Sequence, residues 1–257
     1  MATKKNLSHI HMCVDRILTG EQKIRAMQLA IKENKKNQPK MAKLPGVSAH
    51  PMKMALQTGK MWATGRTLKI YFMDGSKVQK SQVIKHASQW LKDANVKFDF
   101  ASNKAKSDIR ISFVADTGSW SYIGTDNLGI PKNEPTMNFG WLRDDTEDRE
   151  YNRVVVHEFG HALGCIHEHQ NPKGGIRWNE AAVYQYFAGP PNNWSKADTY
   201  SNVIEKYSMD QLNASSFDVK SIMLYSFPGE LIVGGKPTPT NYVMSRRDHS
   251  FIKKMYP

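Results

Sequence analysis

The segment from His157 to His167, HEFGHALGCIH, constrains this 257-residue chain more than any other. Residues four apart lie on one face of an α-helix, so His157 and His161 can present two imidazole nitrogens to one metal ion. Glu158 lies beside that face, where its carboxylate can reach a water molecule on the metal. Gly164 is the residue type that ends a helix in the left-handed conformation, and the resulting turn lets His167 return as a third ligand.

Three protein ligands and an open fourth position are typical of a catalytic zinc site, because structural zinc sites are closed by four ligands. A third ligand from a later helix, for which Glu180 is a candidate, is an alternative, but Gly164 and His167 make it unnecessary. The sequence therefore predicts one catalytic zinc ion on His157, His161 and His167.

Composition excludes several classes of protein. A hydrophobic content of 40% is too high for a disordered chain, and no apolar run approaches the roughly 20 residues of a membrane span. The formal charge of +12 lies largely in lysine-rich stretches, such as residues 32–43 and 77–92, without interleaved arginine and aromatic residues. We interpret these stretches as solvated surface and expect no nucleic-acid partner. We also expect the protein to be a monomer.

The sequence does not decide in which cellular compartment the protein works. The first six residues carry the charge of a signal sequence, but no apolar stretch follows them, because His9, His11 and Asp15 interrupt it. A chain that remains inside the cell, one exported by another route and one that has lost a leader are all compatible with this start.

Periodicity predicts an α+β fold. Strands are expected at residues 67–73, 96–100, 109–115, 119–124 and 136–140, and helices at residues 20–34, 76–94, 151–166, 180–187 and 245–256. Residues 35–65 read as an irregular strap, and Ser245 and Asp248 are expected to cap the last helix. This order predicts a mixed sheet with a helix on one face.

The pattern HExxHxxGxxH resembles the metzincin metallopeptidases, and its surroundings are most similar to the astacin branch. Glu168 follows the third histidine, as in astacins. Residues 221–225, SIMLY, resemble the astacin Met-turn, with Leu224 in place of the usual histidine. Residues 120–124, WSYIG, resemble the astacin edge strand. The resemblance covers roughly residues 65–257.

The resemblance implies a zinc-dependent endopeptidase in which Glu158 acts as general base and then as general acid. Met223 would form an apolar floor beneath the zinc, and Tyr225 would be an extra ligand that swings away to stabilise the oxyanion. Glu168 would contact the N-terminus of the mature chain. Taken alone, Met223 and Tyr225 are ordinary core residues; only their spacing after the zinc motif gives them these roles.

The resemblance also implies a metzincin-like architecture for residues 61–257. A twisted mixed sheet with backing and active-site helices would form an upper subdomain to about residue 167, above a mostly irregular lower subdomain at 168–257. A polypeptide substrate would pair with the edge strand formed by Trp120, Ser121, Tyr122, Ile123 and Gly124. The family resemblance favours an extracellular location.

Residues 1–60 resemble nothing securely and are expected to be a pro-segment or a strap. Within them, Cys13 has a side chain that could latch the zinc as a thiolate. The alternatives are a small buried cysteine and a disulfide with Cys165.

Two other functions remain open from the sequence. One is a zinc-bound binding module that lacks catalysis, which the presence of Glu158 disfavours. The other is a basic polymer-binding protein with structural zinc, which would bind less tightly as salt increases.

Overall fold

The computed structural model describes residue 16 and residues 18–39, 59–115, 117–190, 192–206 and 216–257. Five strands lie within these ranges: β1 (Thr67–Phe72), β2 (Lys97–Asp99), β3 (Ile109–Ser112), β4 (Ser119–Ser121) and β5 (Met137–Phe139). Six α-helices lie there as well: α1 (Gly20–Glu33), α2 (Lys77–Ala87), α3 (Asp148–Ala162), α4 (Glu180–Ala188), α5 (Lys196–Thr199) and α6 (Arg246–Met255). None of these helices has the length and apolar character needed to span a membrane.

The strands form one mixed sheet in the order β2-β1-β3-β5-β4. The first three pairings are parallel, and β4 runs antiparallel to β5 at one end of the sheet. The α+β prediction and the mixed sheet are therefore confirmed. The strands are shorter than predicted, since residues 122–124 leave β4 and Gly124–Gly129 form a 3₁₀ turn.

The helix predicted at residues 76–94 changes character part of the way along. It starts at a Ser76 capping box, and its α-helical part ends at Ala87, after which Ser88–Lys92 form a 3₁₀ turn. Within that turn, the Trp90 indole N–H donates to the carbonyl oxygen of Val156 in α3 at 2.9 Å. A contact with another helix thus accompanies the change from a 3.6-residue to a tighter turn.

Helix α3 begins earlier and ends earlier than the predicted 151–166. Asp148 and Glu150 occupy its first turn, where negative charge is favourable beside the positive end of the helix dipole. The last helix, in contrast, has its predicted cap. The Ser245 side chain accepts from the Asp248 backbone N–H, and the Asp248 side chain accepts from the Ser245 backbone N–H.

Two large clusters of buried side chains form most of the interior of the described residues, and a third, small cluster contains Leu18, Ala26 and Ile130. The larger contains the sheet, α2, α3 and also residues 222–223 and α6. The smaller is built from residues 176–231, including α4. Helix α6, which the sequence analysis assigned to the lower subdomain, therefore packs in the larger cluster. Helix α5 and the π-helical turn Tyr200–Ile204 that follows it were not predicted from the sequence.

Residues 59–62, near the end of the predicted strap, form hydrogen bonds with distant parts of the chain. We use the name strap for these four residues from here on. The Trp62 indole N–H donates to the carbonyl oxygen of Ala162 at 2.8 Å, and its backbone N–H donates to the Tyr256 hydroxyl at 3.2 Å. That hydroxyl donates in turn to the carbonyl oxygen of Leu163 at 2.7 Å. The end of α3 is thereby held by Trp62 and Tyr256, two residues that lie far apart in the sequence.

Helix α1 is also attached to this strap. The Asn37 side chain donates to the carbonyl oxygens of Ala30 and Met61 and accepts from the Met61 backbone N–H. Helix α1 occupies the predicted residues 20–34 to within one residue. Of the predicted strap at 35–65, only residues 35–39 and 59–65 lie in the described part of the chain.

Candidate metal centre

The turn after α3 places the third histidine beside the first two. Gly164 has a φ of 96°, as predicted for a residue that ends a helix in the left-handed conformation. Its N–H donates to the carbonyl oxygen of His161, and the Cys165 N–H donates to that of Gly160. This is a Schellman pair of hydrogen bonds, and it reverses the chain so that His167 lies against His161.

The three predicted imidazoles meet at one point. The Nε2 atom of His161 lies 3.1 Å from that of His157 and 3.0 Å from that of His167. All the ligand atoms of the cluster lie within 4.8 Å of one another, and each residue is at most 3% exposed. Zinc–nitrogen bonds of 2.0–2.1 Å at tetrahedral angles place ligand nitrogens roughly 3.3 Å apart.

Two backbone carbonyls orient the first two rings. The Nδ1 atom of His157 lies 2.8 Å from the oxygen of Ile222, and that of His161 lies 2.9 Å from the oxygen of Cys165. A carbonyl can only accept, so each Nδ1 carries the proton and each Nε2 presents a lone pair. Two lone pairs facing each other at 3.1 Å repel unless a cation lies between them. The site therefore fits a metal ion.

Burial fixes the charge state of His157. Desolvation holds the pKa of His157 well below its usual value, and the neighbouring His161 and His167 lower it further. The imidazole is therefore neutral at physiological pH, which is the form that binds zinc.

Met223 packs directly beneath α3. It is 3% exposed, and a Cβ added to Gly160 would lie 2.4 Å from the Met223 sulfur. The turn that carries it is braced by Asp248, whose carboxylate accepts from the Ser221 hydroxyl at 2.7 Å and from the Ile222 N–H at 2.9 Å. Sequence reasoning identified Asp248 only as a helix cap and did not single out Gly160. The glycine within the helical segment HEFGH was the available signal.

Tyr225 reaches the histidine cluster. Its hydroxyl oxygen lies 2.7 Å from the Nε2 atom of His167, and the residue is 3% exposed. Leu224, which stands where astacins usually have histidine, is buried in the smaller core cluster.

The two predicted acidic residues differ in surroundings. Glu158 is fully buried in α3, directly after His157. Glu168 accepts from the Asp218 N–H at 2.7 Å and from the Asn171 amide at 3.1 Å. Burial raises the pKa of Glu168 to about 7 despite these hydrogen bonds. Its own N–H donates to the carbonyl oxygen of Met223, which links the third histidine to the Met-turn.

The predicted edge strand is only partly a strand. Trp120 and Ser121 belong to β4, whereas Ile123 caps the following 3₁₀ turn and Gly124 is its first residue. Gly124 has a φ of 49°, and its neighbour Thr125 donates its N–H to the carbonyl oxygen of Lys60 in the strap. The pairing of the strap with this segment explains why the strand pattern ends early.

The other candidate ligands either do not belong to the histidine cluster or lie outside the described residues. Glu180 is the first residue of α4, and the three histidines are the group that could hold a metal among the described residues. Cys165 is a free, buried thiol. Cys13, the proposed latch, lies outside the described residues.

A helix that bears HExxH, a glycine turn with a third histidine, and a methionine turn packed beneath them define a metzincin-type zinc metallopeptidase. The family model for astacin (peptidase family M12A) matches residues 54–230. The chain therefore belongs to the astacin family and is a zinc metalloendopeptidase. Zinc is its cofactor, and the three histidines suit one ion.

Solved structures show the same relationship. A structure of myroilysin is 43% identical with a TM-score of 0.75, covering 77% of this chain and 96% of that one. High choriolytic enzyme 1, a hatching enzyme zinc-protease from the medaka fish Oryzias latipes, is 20% identical with a TM-score of 0.52, covering 77% and 94%; it shows likeness of fold alone. None of the curated proteins that were compared matches the chain.

Proposed function

We propose that His157, His161 and His167 hold one zinc ion and that Glu158 is the general base and then the general acid of peptide-bond hydrolysis. The observation that carries this proposal is the convergence of three buried Nε2 atoms, with Glu158 fully buried at the position after His157 in α3. A zinc ion there would supply Lewis-acid chemistry, since it makes water more acidic and polarises a peptide carbonyl.

Glu158 would accept a proton from the water molecule that attacks the carbonyl and would then deliver that proton to the leaving amine. A carboxylate in a water-poor site suits this exchange, because it is not solvated by competing water molecules. The phenol of Tyr225, now hydrogen-bonded to His167, would donate to the oxyanion that develops on the substrate carbonyl. A transition-state contact of this kind contributes roughly 3 kcal/mol.

Met223 and Gly164 would support this site without touching the substrate. The sulfur of Met223 packs under α3, and the left-handed turn at Gly164 sets the direction from which His167 approaches. Glu168 would receive the N-terminus of a processed chain; the contacts that it makes here, with Asp218 and Asn171, define the position of its carboxylate.

The substrate would lie in extended form against β4 and the residues that follow it, Trp120, Ser121, Tyr122, Ile123 and Gly124. The position of β4 at the end of the sheet supports this proposal, because an edge strand can accept a further strand through its backbone groups. Because residues 122–124 leave the strand, we expect the ladder to be short.

We also propose the division into an N-terminal segment, residues 1–60, and a catalytic domain, residues 61–257. Helix α1 supports this division, because its Ala26 lies in a small cluster separate from the main core, whereas Trp62, just after the proposed boundary, is buried in the main core. The latch role of Cys13 stays a prediction. A Cys13→Ser variant that is no more active than the wild type would contradict it.

The test of the mechanism is digestion of casein and of a peptide library by Glu158→Gln, with zinc content measured by mass spectrometry. We expect turnover to fall by roughly 10²–10⁴-fold while zinc is retained. Glu180→Gln is the matched control, since this residue lies on α4, and it should keep both zinc and activity. A wild type that binds zinc but cleaves nothing would favour the silent binding module instead.

A further inference from the structure

Two aromatic side chains lie together at the edge of the sheet. Trp120 belongs to β4, and Tyr122 follows it by two residues, so both project from the same side of the extended chain. Their rings meet edge to face, with centroids 5.9 Å apart and planes at 81°. We call this pair the aromatic platform.

The platform is occupied by a cation from the N-terminal segment. The guanidinium carbon of Arg16 lies 4.3 Å from the centroid of the Trp120 ring, well inside the roughly 6 Å over which a cation is attracted to an aromatic face. Leu18 follows it into a small buried cluster with Ala26 and Ile130, against which Tyr122 packs. Arg16 is thus directed onto the platform by the segment that leads into α1.

Charged groups of both signs act on Tyr122 in the platform. Burial raises the pKa of Tyr122, and the charged groups that act on it are Arg16, which lowers it, and Glu134 and Asp126, which raise it. Asp126 pairs with Lys60 at 2.5 Å. Glu134 interacts electrostatically with the buried Arg110, so Arg16 is the cation that acts on Tyr122 itself.

We infer that the aromatic platform is a specificity subsite for one cationic side chain of the polypeptide substrate, and that Arg16 is its intramolecular occupant. The inference rests on the proposed function, because the substrate reaches the platform only by pairing along β4. Arginine is preferred over lysine, since its planar guanidinium stacks on an aromatic face.

The test uses two otherwise identical peptides, one with arginine and one with its neutral isostere citrulline, moved through each position around the cleavage site. With the full chain carrying Arg16→Ala, we expect kcat/KM at one position to favour arginine roughly 3- to 30-fold. Arg25→Ala, which removes an exposed cation of α1, is the matched control. It should leave the ratio of kcat/KM for the arginine and citrulline peptides as it is in the wild type. In the Arg16→Ala background, Trp120→Phe should weaken the preference and Trp120→Leu should abolish it.

A second measurement separates failure of the subsite from failure of the proposed function. The indole N–H resonance of Trp120, assigned with Trp120→Phe, is followed while Nα-acetyl-arginine amide or its citrulline analogue is added to the Arg16→Ala chain. A saturable shift with the arginine compound alone supports the subsite even if no peptide is cleaved. Equal responses to both compounds, no response, or an arginine preference that survives Trp120→Leu would overturn it.

Discussion

The Nδ1 atom of His161 lies 2.9 Å from the carbonyl oxygen of Cys165, so the turn that ends α3 also orients the second imidazole of the histidine cluster. The same turn carries the chain to His167. One backbone reversal therefore sets two of the three ligand positions, and its geometry depends on the left-handed conformation of Gly164.

Gly164→Ala should lower both the free energy of unfolding and the affinity for zinc. A left-handed conformation costs a residue with a Cβ about 1–2 kcal/mol, and relaxation of that strain would move the Cys165 carbonyl and His167. Denaturant unfolding and competition with a zinc chelator measure the two effects. Gly234→Ala is the matched control, since Gly234 has the same φ of 96° and open space around it. The Gly234→Ala variant should have a lower free energy of unfolding but an unchanged affinity for zinc. An equal loss of zinc affinity in both variants would contradict the prediction.

Gly160→Ala should destabilise the protein, although alanine in a helix interior usually stabilises by about 0.5–1 kcal/mol relative to glycine. The added Cβ would lie 2.4 Å from the Met223 sulfur and 3.0 Å from a carbon of the Trp90 ring. Overpacking of this kind costs about 1–3 kcal/mol. Because Met223→Ala makes room, the double variant should be more stable than the sum of the two single effects predicts. If the changes in the free energy of unfolding of the two single variants add up to that of the double variant, in thermal or denaturant unfolding, this explanation is wrong.

Asp248→Asn should lower the free energy of unfolding by about 1–3 kcal/mol and flatten its pH dependence. Asp248 accepts from Ser221, Ile222 and Ser245 through both of its carboxyl oxygens, and asparagine replaces one of these oxygens by an amide NH2 group that cannot accept.

The pH dependence has a definite sign. Burial raises the pKa of Asp248, so the folded chain holds that proton to higher pH than the unfolded chain does. The free energy of unfolding therefore falls as the pH rises from the ordinary carboxyl range through the raised pKa. The stability lead of the wild type over Asp248→Asn should be greatest at the acidic end and narrow as the pH rises. Asp145→Asn, at an exposed position, should show no such trend.

Arg110→Lys should cost about 1.5–3 kcal/mol. The Arg110 side chain is fully buried in β3 and donates to the carbonyl oxygens of Glu134 at 2.7 Å and Ile130 at 3.2 Å. Burial lowers its pKa to about 10. A lysine ammonium cannot reproduce the planar fork that spans these carbonyls. Arg149→Lys, where the side chain is 68% exposed, should change stability by less than about 0.5 kcal/mol in the same denaturant experiment.

What the sequence predicted well depends on residues that are close together along the chain. The i, i+4 spacing of His157 and His161, the glycine turn at Gly164 and the Ser245 cap are each decided within a few residues. The limits of α2 and β4 were less well predicted, because Trp90 contacts α3 and Lys60 pairs beside Gly124. Hydrophobic periodicity does not predict contacts between residues that are far apart in the sequence.

The bracing of the site shows the same distinction. Asp248 reaches the Met-turn across 26 residues, and Trp62 reaches Tyr256 across 194. A helix cap and a strap are all that the local sequence reveals at these positions. Their second role depends on the tertiary fold.

The contacts of Trp62 and Tyr256 with the carbonyl oxygens of Ala162 and Leu163 have a consequence for how the ion is held. These bonds fasten the end of α3, directly before the turn that leads to His167, to side chains from far upstream and far downstream. Loss of the ion and loss of the global structure should therefore occur together. In that case, the rate at which a chelator strips the protein reports the opening of the whole fold.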